Sequence, residues 1–420
     1  MDELLYTVWL SLACTPGSET FAKLLKKLNT AEAIYNACDK EIASCITTRS
    51  RDYTALTDKN LDRANFVLDF CKKKHVGMLS YFDRDYPSLL KDIKNPPVLL
   101  YYRGILPDFD REFTIAVVGM RKLSQYGRKN TFTVAHDLAR AGAVVVSGMA
   151  TGIDGVALAA AISAGKPTVA VIGSGIDVCY PPQHLRLAKE IVKRGCVITE
   201  YAPGTRPDKQ NFPVRNRIIS GLSRVTLVME GEERSGALIT ARHAREQDRP
   251  VYAFPGNVGN RGSEASNLLI KNGAKLFTAA DDILRDFEIR SSGRLDPFAL
   301  SRPTSVDMAA VIRNLEVSCV APNDDVFYAK KSSSKPKAQI DYTVPKAEAD
   351  DDSVNEEKIL LTFNKSLLAL YKKIPIEGDV SIDDLADGEH SLRDVMQGLL
   401  TLEISNFVTM LPGDRVKRNI

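Results

Sequence analysis

The 420-residue sequence lacks the patterns on which most catalytic and metal sites are built. Its seven cysteines are dispersed without a CxxC pair, and its five histidines show no HExxH spacing, so the common zinc motifs are absent. It also has neither the GxSxG segment of a hydrolase nor the GxxxxGK[ST] loop of a P-loop ATPase. We therefore expect reduced thiols and a protein that is not an enzyme, with no catalytic residues, no metal and no cofactor.

Long apolar runs are missing as well. No stretch of about eighteen consecutive apolar residues offers a transmembrane helix. The first residues, MDELLYTVWL, carry acids in place of the basic region of a secretory signal, and no cleavage site follows. These absences predict a cytoplasmic protein with no membrane partner. The formal net charge of +3 is small, but it allows basic residues to be concentrated on one surface.

Changes in composition along the chain predict several domains. Short amphipathic segments with candidate N-caps at Ser18 and Thr30 are typical of a small helical domain at the start. A polar stretch with little periodicity indicates a linker, and three helices followed by a hairpin indicate a winged helix at the end. The predicted divisions are residues 1–75 (helical), 76–105 (a segment connecting into the core), 106–288 (the core), 289–355 (a flexible linker) and 356–420 (the winged helix).

The core alternates short apolar runs with helical segments. The runs are residues 114–118, 143–146, 168–172, 197–199, 226–229 and 251–254. Such a pattern predicts an α/β fold with a Rossmann-like, doubly wound, mostly parallel sheet that is covered by helices on both faces. Ligands of these sheets bind at the carboxyl ends of the strands, so the loops after the strands are the candidate site.

Several of these loops suit a phosphate group, because glycine permits close approach of the backbone and the start of the next helix offers free N–H groups. The residues of this kind are Gly119, Arg121 and Lys122 after the first strand, Ser147 and Gly148 after the second, and Ser235 and Gly236 before a later helix. Each loop alone is equally compatible with an ordinary strand-to-helix turn. The GxG after the third strand lacks the last glycine of GxGxxG, since Val178 occupies that position, which argues against a nicotinamide cofactor.

The most basic segment is residues 204–217, with four cations and one acid. Its candidate ligands are Lys209, Phe212, Arg215, Asn216 and Arg217. Cations hold phosphates, and an aromatic ring stacks on a base without reading its identity, so this mixture favours single-stranded nucleic acid. The alternative is a basic loop in which Phe212 anchors into the core.

The ordered series of these motifs resembles the bacterial DNA-processing protein A family (DprA, also called Smf). The segments that carry the resemblance are GMRK at 119–122, YG at 126–127, SG at 147–148, GID at 152–154, GSGID at 173–177, FPVRNRIISGLS at 212–223 and SGALITA at 235–241. The resemblance implies a sterile-alpha-motif-like N-terminal domain and a homodimer formed through the Rossmann-like core. It also implies that the protein binds and protects incoming single-stranded DNA during natural transformation and loads the RecA recombinase.

The resemblance also implies which residues form the DNA pocket. Arg121, Lys209 and Phe212 match the pocket itself, and Arg215 and Arg217 lie beside them in the motif. The same loops leave a second hypothesis open, a nucleoside-monophosphate phosphoribohydrolase of the related lysine-decarboxylase-like group. That group carries a PGGxGT motif followed by a glutamate, whereas the corresponding stretch here, residues 234–238, reads RSGAL.

Overall fold

The computed structural model describes residues 2–233, 235–287, 294–301 and 305–319 and, nearer the C-terminus, residues 373–375, 379–385, 395, 399, 408–411 and 415–418. The chain divides into two compact units, Met1–Lys331 and Ser332–Ile420. Across these described stretches, no helix is both long enough and apolar enough to cross a membrane.

The first unit begins with a group of short helices. They are α1 (Asp2–Ala13), α2 (Thr20–Leu28), α3 (Ala31–Asn36), α4 (Asp39–Ala43), α5 (Arg51–Thr57) and α6 (Asp62–Lys73). The predicted cap at Thr30 is confirmed, because its hydroxyl accepts a hydrogen bond from the amide of Ala33 at 3.1 Å. The predicted cap at Ser18 is wrong: the N-cap of α2 is Glu19, and the Ser18 hydroxyl donates to the carboxylate of Asp52 instead. The likeness of this helical group to a sterile alpha motif stays a prediction.

A nine-stranded sheet follows. Its strands are β1 (Gly77–Ser80), β2 (Leu99–Gly104), β3 (Phe113–Val118), β4 (Ala143–Ser147), β5 (Thr168–Val171), β6 (Cys196–Thr199), β7 (Val225–Val228), β8 (Val251–Ala253) and β9 (Lys275–Leu276). Their order is β1-β2-β6-β5-β4-β3-β7-β8-β9. The seven strands from β6 to β9 in this order are parallel; β2 pairs antiparallel with β6, and β1 pairs antiparallel with β2 at the edge. Residues 76–105, predicted as a connection, thus supply two strands at the edge of the sheet.

The sheet is buried on both faces. All six residues of β3 are buried. Ile115 and Val117 join the hydrophobic cluster on one face, and Ala116 and Val118 join the cluster on the other, because successive strand side chains point in opposite directions. The predicted α/β fold with a mostly parallel sheet is confirmed.

Helices cover both faces of this sheet. Those after the N-terminal group are α7 (Ser88–Lys91), α8 (Gln125–Arg140), α9 (Ile153–Ser163), α10 (Leu185–Ile191), α11 (Asn211–Gly221), α12 (Gly236–Glu246), α13 (Glu264–Lys271) and α14 (Ala280–Phe287). Buried residues of α8 and α9 belong to the cluster of Ile115, and those of α11 and α12 belong to the cluster of Ala116. The two helix pairs therefore lie on opposite faces.

Part of the segment predicted to be a flexible linker packs on this core instead. A short helix, α15 (Met308–Asn314), is followed by Leu315 and Val317, which are both buried. The amide of Gly152 then donates a hydrogen bond to the carbonyl of Ser318 at 2.8 Å. The linker prediction is therefore wrong for this stretch, because a few well-placed apolar side chains and backbone hydrogen bonds hold it against α9.

The second unit contains a small antiparallel sheet. Its strands are β10 (Val380–Ser381), β11 (Val408–Leu411) and β12 (Arg415–Arg418), in the order β10-β12-β11, and α16 (Ile382–Leu385) follows β10. The pairing of β11 with β12 agrees with the predicted C-terminal hairpin. Residues 320–355 of the predicted linker and residues 356–372 of the predicted winged helix lie outside the described residues, so the winged helix stays a prediction.

Candidate nucleic-acid interface

The chain reverses its winding direction around β3. From β3 it moves outward through β4, β5 and β6, and it then crosses back to β7 on the other side of β3. The loops after β3 and β7 therefore diverge, and open α/β sheets bind their ligands in the crevice at such a switch point. A cavity of about 490 Å³ opens there, at the carboxyl ends of the strands.

Most of the ligands predicted from the sequence meet at this cavity. The nine that line it are Gly119, Arg121, Lys122, Lys209, Phe212, Arg215, Asn216, Ser235 and Gly236. They come from three separate places in the chain: the β3 loop, the first turns of α11 with the residues before it, and the start of α12. Parallel strands bring these places together, since all their carboxyl ends lie at one edge of the sheet.

The cavity walls carry more positive than negative charge. Arg121, Lys122 and Lys209 line it and are exposed to solvent. The acids on the described walls are Asp154, which is buried, and Glu232, which is exposed. A concave surface with an excess of cations concentrates the electric field and attracts a polyanion.

Phe212 stands at the cavity wall in contact with charged and aromatic groups. Its side chain is half-buried, and the guanidinium of Arg121 lies 5.5 Å from the centre of its ring. The ring of Tyr180 lies 5.5 Å away at an interplanar angle of 35°. The side-chain amide of Asn211, the preceding residue, donates to the carbonyl of Gly173 at 3.1 Å, which fixes the start of α11. Phe212 is thus neither sealed in the interior nor separated from Arg121.

Arg215 lies beneath the cavity as a buried residue. Its guanidinium donates to the carbonyl of Gly148 at 2.7 Å and to that of Val171, so it joins the ends of β4 and β5. Burial raises the pKa of Asp154 to about 6, an effect opposed by the nearby charge of Arg215. Burial likewise lowers the pKa of Arg215 to about 10. The two buried side chains influence each other electrostatically, and both line the cavity.

Three of the predicted ligands do not line the cavity. Arg217 is buried in an ion pair with Glu200, with 2.6 Å between Nη2 and Oε1. The buried hydroxyl of Ser147 donates to the carbonyl of Val117 at 2.6 Å. Gly148 lines a smaller adjoining cleft together with Tyr180 and Phe212. The hydrogen-bonding groups of Arg217 and Ser147 thus serve the packing of the core.

Glu230 is a buried acid that holds the β3 loop in place. It is buried at the end of β7, and its carboxylate accepts hydrogen bonds from the amide and the hydroxyl of Ser124, at 3.0 and 2.5 Å. A side chain at Gly127 would collide with it, since a Cβ there would lie 1.9 Å from Oε2. Glu230 therefore anchors the β3 loop and the first turn of α8, which agrees with loop anchoring rather than acid–base chemistry.

The start of α12 forms the opposite wall. Ser235 is the N-cap of this helix, and among the described residues its buried hydroxyl oxygen has no hydrogen-bond partner. The side-chain amide of Asn216 donates to the carbonyl of Gly236 at 3.3 Å, which connects α11 to α12 across the cavity. A helix start with free N–H groups and an available hydroxyl suits a negatively charged oxygen.

Two residues at the cavity, Tyr180 and Glu232, were not predicted from the sequence. Tyr180 comes from the loop after β5, and only the close approach of that loop to α11 brings it to Phe212. Glu232 gave no signal, because acids in a loop are usually solvated. In the described part of the chain, no three histidine, cysteine or acidic side chains lie close enough together to hold a metal ion.

Comparisons with known proteins agree with this arrangement. A sequence model of the family described as DNA recombination-mediator protein A matches residues 77–288. The Smf protein of Synechocystis sp. is 32% identical over 364 residues, which covers 86% of this chain and 84% of that protein. The DNA processing protein DprA of Streptococcus pneumoniae is 44% identical over 228 residues, which covers 54% of this chain and 79% of that protein.

A solved structure shows the same fold. The X-ray structure of DprA from Streptococcus pneumoniae superimposes with a TM-score of 0.60 at 35% identity and covers 68% of this chain and 98% of its own. The residues matched by the family begin at β1 and end one residue beyond α14, so they include every strand of the large sheet and the whole cavity. This chain is a member of the DNA recombination-mediator protein A family.

Proposed function

We propose that this protein binds single-stranded DNA in the cavity at the switch point of the sheet. The observation that carries the proposal is the convergence of Arg121, Lys122 and Lys209 with Phe212 around one cavity. The cations compensate the charge of successive phosphates, and the ring offers a surface for a base. Gly119 lets the β3 loop pack tightly beside this cavity, since a Cβ there would lie 2.4 Å from Cγ1 of Ile153 and 2.8 Å from the carbonyl oxygen of Glu230.

The geometry suits a single strand better than a duplex. A single strand can turn a base into a cavity of about 490 Å³ while its backbone follows the cations at the rim. In a duplex the bases are stacked and paired, so they are not available to Phe212 without the cost of unstacking. Stacking on an aromatic ring accepts any base, so we expect little dependence on sequence.

The test is a titration of labelled oligo-dT and a duplex of equal length at about 50 and 200 mM salt. We expect tighter binding of the single strand, which weakens as salt increases. The double variant Arg121→Ala/Lys209→Ala should bind more weakly and lower the salt slope by about 1.4, because each phosphate contact on a single strand contributes about 0.7. Lys189→Ala, which removes an exposed lysine of α10, is the matched control. Unchanged affinity in the double variant would reject this cavity as the site.

The biological role we propose is that of the family. In the cytoplasm the protein would cover incoming single-stranded DNA during natural transformation and load RecA onto it. Membership of the recombination-mediator family supports this role. Two assays test it: protection of oligo-dT from a nuclease, and RecA filament formation on protein-covered DNA. The Arg121→Ala/Lys209→Ala variant should fail in both, whereas protection without any effect on RecA would restrict the role to DNA covering.

We also propose a homodimer formed through the Rossmann-like core. The strand β9 lies at the open edge of the large sheet, and Leu276 on that strand is 54% exposed. Leu268, on the neighbouring α13, is 37% exposed. An unprotected edge with exposed leucines is a favourable surface for a second copy. Light scattering should report a dimer for the wild type and a monomer for Leu276→Asp; a dimeric variant would place the interface elsewhere.

The proposed activity is binding, without bond cleavage. The nucleotide-hydrolase hypothesis would use Glu230, the acid at the end of β7, but its carboxylate already accepts two hydrogen bonds from Ser124. Incubation of the protein with nucleoside monophosphates should therefore release no free base. Base release that disappears in Glu230→Ala would favour a nucleotide hydrolase instead.

A further inference from the structure

One face of α8 continues from the cavity across the surface of the molecule. Gly127 of this helix is buried, whereas Tyr126, Lys129 and Thr133 are exposed. Residues three and four positions apart lie on the same side of a helix, so these three side chains form one ridge. The ridge places an aromatic ring next to a cation, outside the cavity itself.

The ring of Tyr126 is held in place although half of its surface is open to solvent. The side chain is 50% exposed, and its hydroxyl donates to the carbonyl of Pro255 at 2.9 Å. One part of the ring packs on Phe254, with 5.9 Å between ring centres. A single exposed aromatic residue is common on protein surfaces. A ring fixed at both its edge and its hydroxyl is a better platform, because little rotational freedom is lost when a planar group stacks on it.

The position of Tyr126 depends on the same anchor that shapes the cavity. Ser124 caps α8 by accepting a hydrogen bond from the amide of Gly127 at 2.9 Å, and it donates to the buried carboxylate of Glu230. The first turn of α8 is thereby fixed relative to the β3 loop. Lys122, which lines the cavity, is four residues from Tyr126, and four residues span at most about 14 Å. A few nucleotides of an extended strand cover that distance.

Charge favours the α8 side over the opposite side of the cavity. Beyond the β7 loop the exposed residues include Glu232 and Glu233, and the amide of Glu233 lies 3.4 Å from the carboxylate of Glu264. These acids repel phosphates. On the α8 side, Lys122 and Lys129 are both exposed and flank Tyr126 in the sequence. A strand that leaves the cavity therefore has a favourable path over α8.

We infer that Tyr126 and Lys129 form a second nucleotide-binding subsite, which stacks one base and contacts one phosphate of the same single strand beyond the cavity. This inference rests on the proposed function of the cavity. The subsite makes the DNA-binding site longer than the cavity. The affinity therefore increases only for a strand that is long enough to reach α8.

A length series tests the subsite. Labelled oligo-dT of about five nucleotides fills the cavity, and oligo-dT of about fifteen also reaches α8. The variants are Tyr126→Leu, which removes the stacking ring and keeps an apolar side chain over Phe254, and Tyr126→Phe, which keeps the ring and removes the hydroxyl. Lys129→Ala removes the cation, with Lys189→Ala as its control on α10. Thermal unfolding of each variant verifies the fold.

We expect Tyr126→Leu to bind the long oligonucleotide about 5- to 150-fold more weakly and the short one as the wild type does. Tyr126→Phe should retain the affinity for the long strand, and Lys129→Ala should lower the salt slope for that strand alone by about 0.7. Equal losses for both lengths, or no loss for either, in Tyr126→Leu would overturn the subsite while the cavity remains. A wild type that binds neither length would reject the proposed function and the subsite together.

Discussion

Replacing Arg217 with glutamine should destabilise the core without removing a DNA contact. The guanidinium of Arg217 pairs with Glu200 at 2.6 Å, and the two side chains are only 6% and 9% exposed. The loop before α2 packs against α11, the helix that carries Arg217. A Cβ at Gly17 would lie 2.7 Å from the side chain of Val214 and 3.6 Å from Nε of Arg217. Arg217 therefore holds α11 between the end of β6 and the N-terminal helices.

The size of the loss follows from the burial of the pair. Removing one partner of a buried ion pair costs about 3–5 kcal/mol, because the remaining charge stays buried without compensation. Among the described residues, Nε and Nη1 of Arg217 and Oε2 of Glu200 have no hydrogen-bond partner, so the pair is joined by one hydrogen bond. We therefore expect the lower end, about 3 kcal/mol, which is a large part of a typical total of about 5–15 kcal/mol.

Comparing Arg217→Gln with Lys209→Ala distinguishes a cation that stabilises the fold from a cation that binds DNA. Lys209 is exposed, so its removal should change the free energy of unfolding by less than about 0.5 kcal/mol and lower the salt slope of oligo-dT binding by about 0.7. Arg217→Gln should show the opposite. Its free energy of unfolding, measured by urea denaturation, should be much lower, and the salt slope of oligo-dT binding should be unchanged under conditions where the variant is folded.

A second variant verifies the cause of the destabilisation. In Glu200→Gln/Arg217→Gln no charge remains buried, so part of the lost stability should return. The reasoning is refuted if Arg217→Gln unfolds like the wild type and lowers the salt slope by about 0.7, because Arg217 would then contact a phosphate.

Three further predictions concern the cavity. Burial raises the pKa of Asp154 to about 6, so between about pH 4 and 6 the folded protein holds a proton that the unfolded chain releases. Stability should therefore fall as pH rises through that window, by up to about 3 kcal/mol, and urea denaturation of Asp154→Asn should lack this dependence. Glu230→Gln should lower the free energy of unfolding by about 1.5–3 kcal/mol, because the charge-assisted hydrogen bonds from Ser124 weaken, as measured by urea denaturation. Phe212→Leu should weaken oligo-dT binding about 5- to 150-fold and leave the salt slope unchanged, since stacking is lost but no cation is.

Each of these predictions has an outcome that contradicts it. A pH dependence that persists in Asp154→Asn would assign the proton to another group. Wild-type stability in Glu230→Gln would show that the β3 loop does not need its anchor. Wild-type affinity in Phe212→Leu would support the alternative reading of the sequence, in which this ring only anchors a loop.

The sequence alone determined the elements of the core and the loops that carry charge. The first predicted strand, residues 114–118, differs from β3 by one residue at its start. Such strands can be predicted from the sequence because a strand buried on both faces must be continuously apolar. The glycines and cations after the strands also allowed the candidate phosphate-binding loops to be predicted, since close backbone approach and charge are properties of the residue type itself.

The tertiary structure decided which of those residues meet and which way they point. Residues 204–217 read as a single basic cluster, but Lys209 is exposed at the cavity, whereas Arg215 and Arg217 are buried. Lys209 precedes α11, whereas Arg215 and Arg217 lie on that helix, and their burial depends on how α11 packs on the sheet. The order of the strands, which brings the β3 loop beside the β7 loop, comes from long-range pairing that no local pattern encodes.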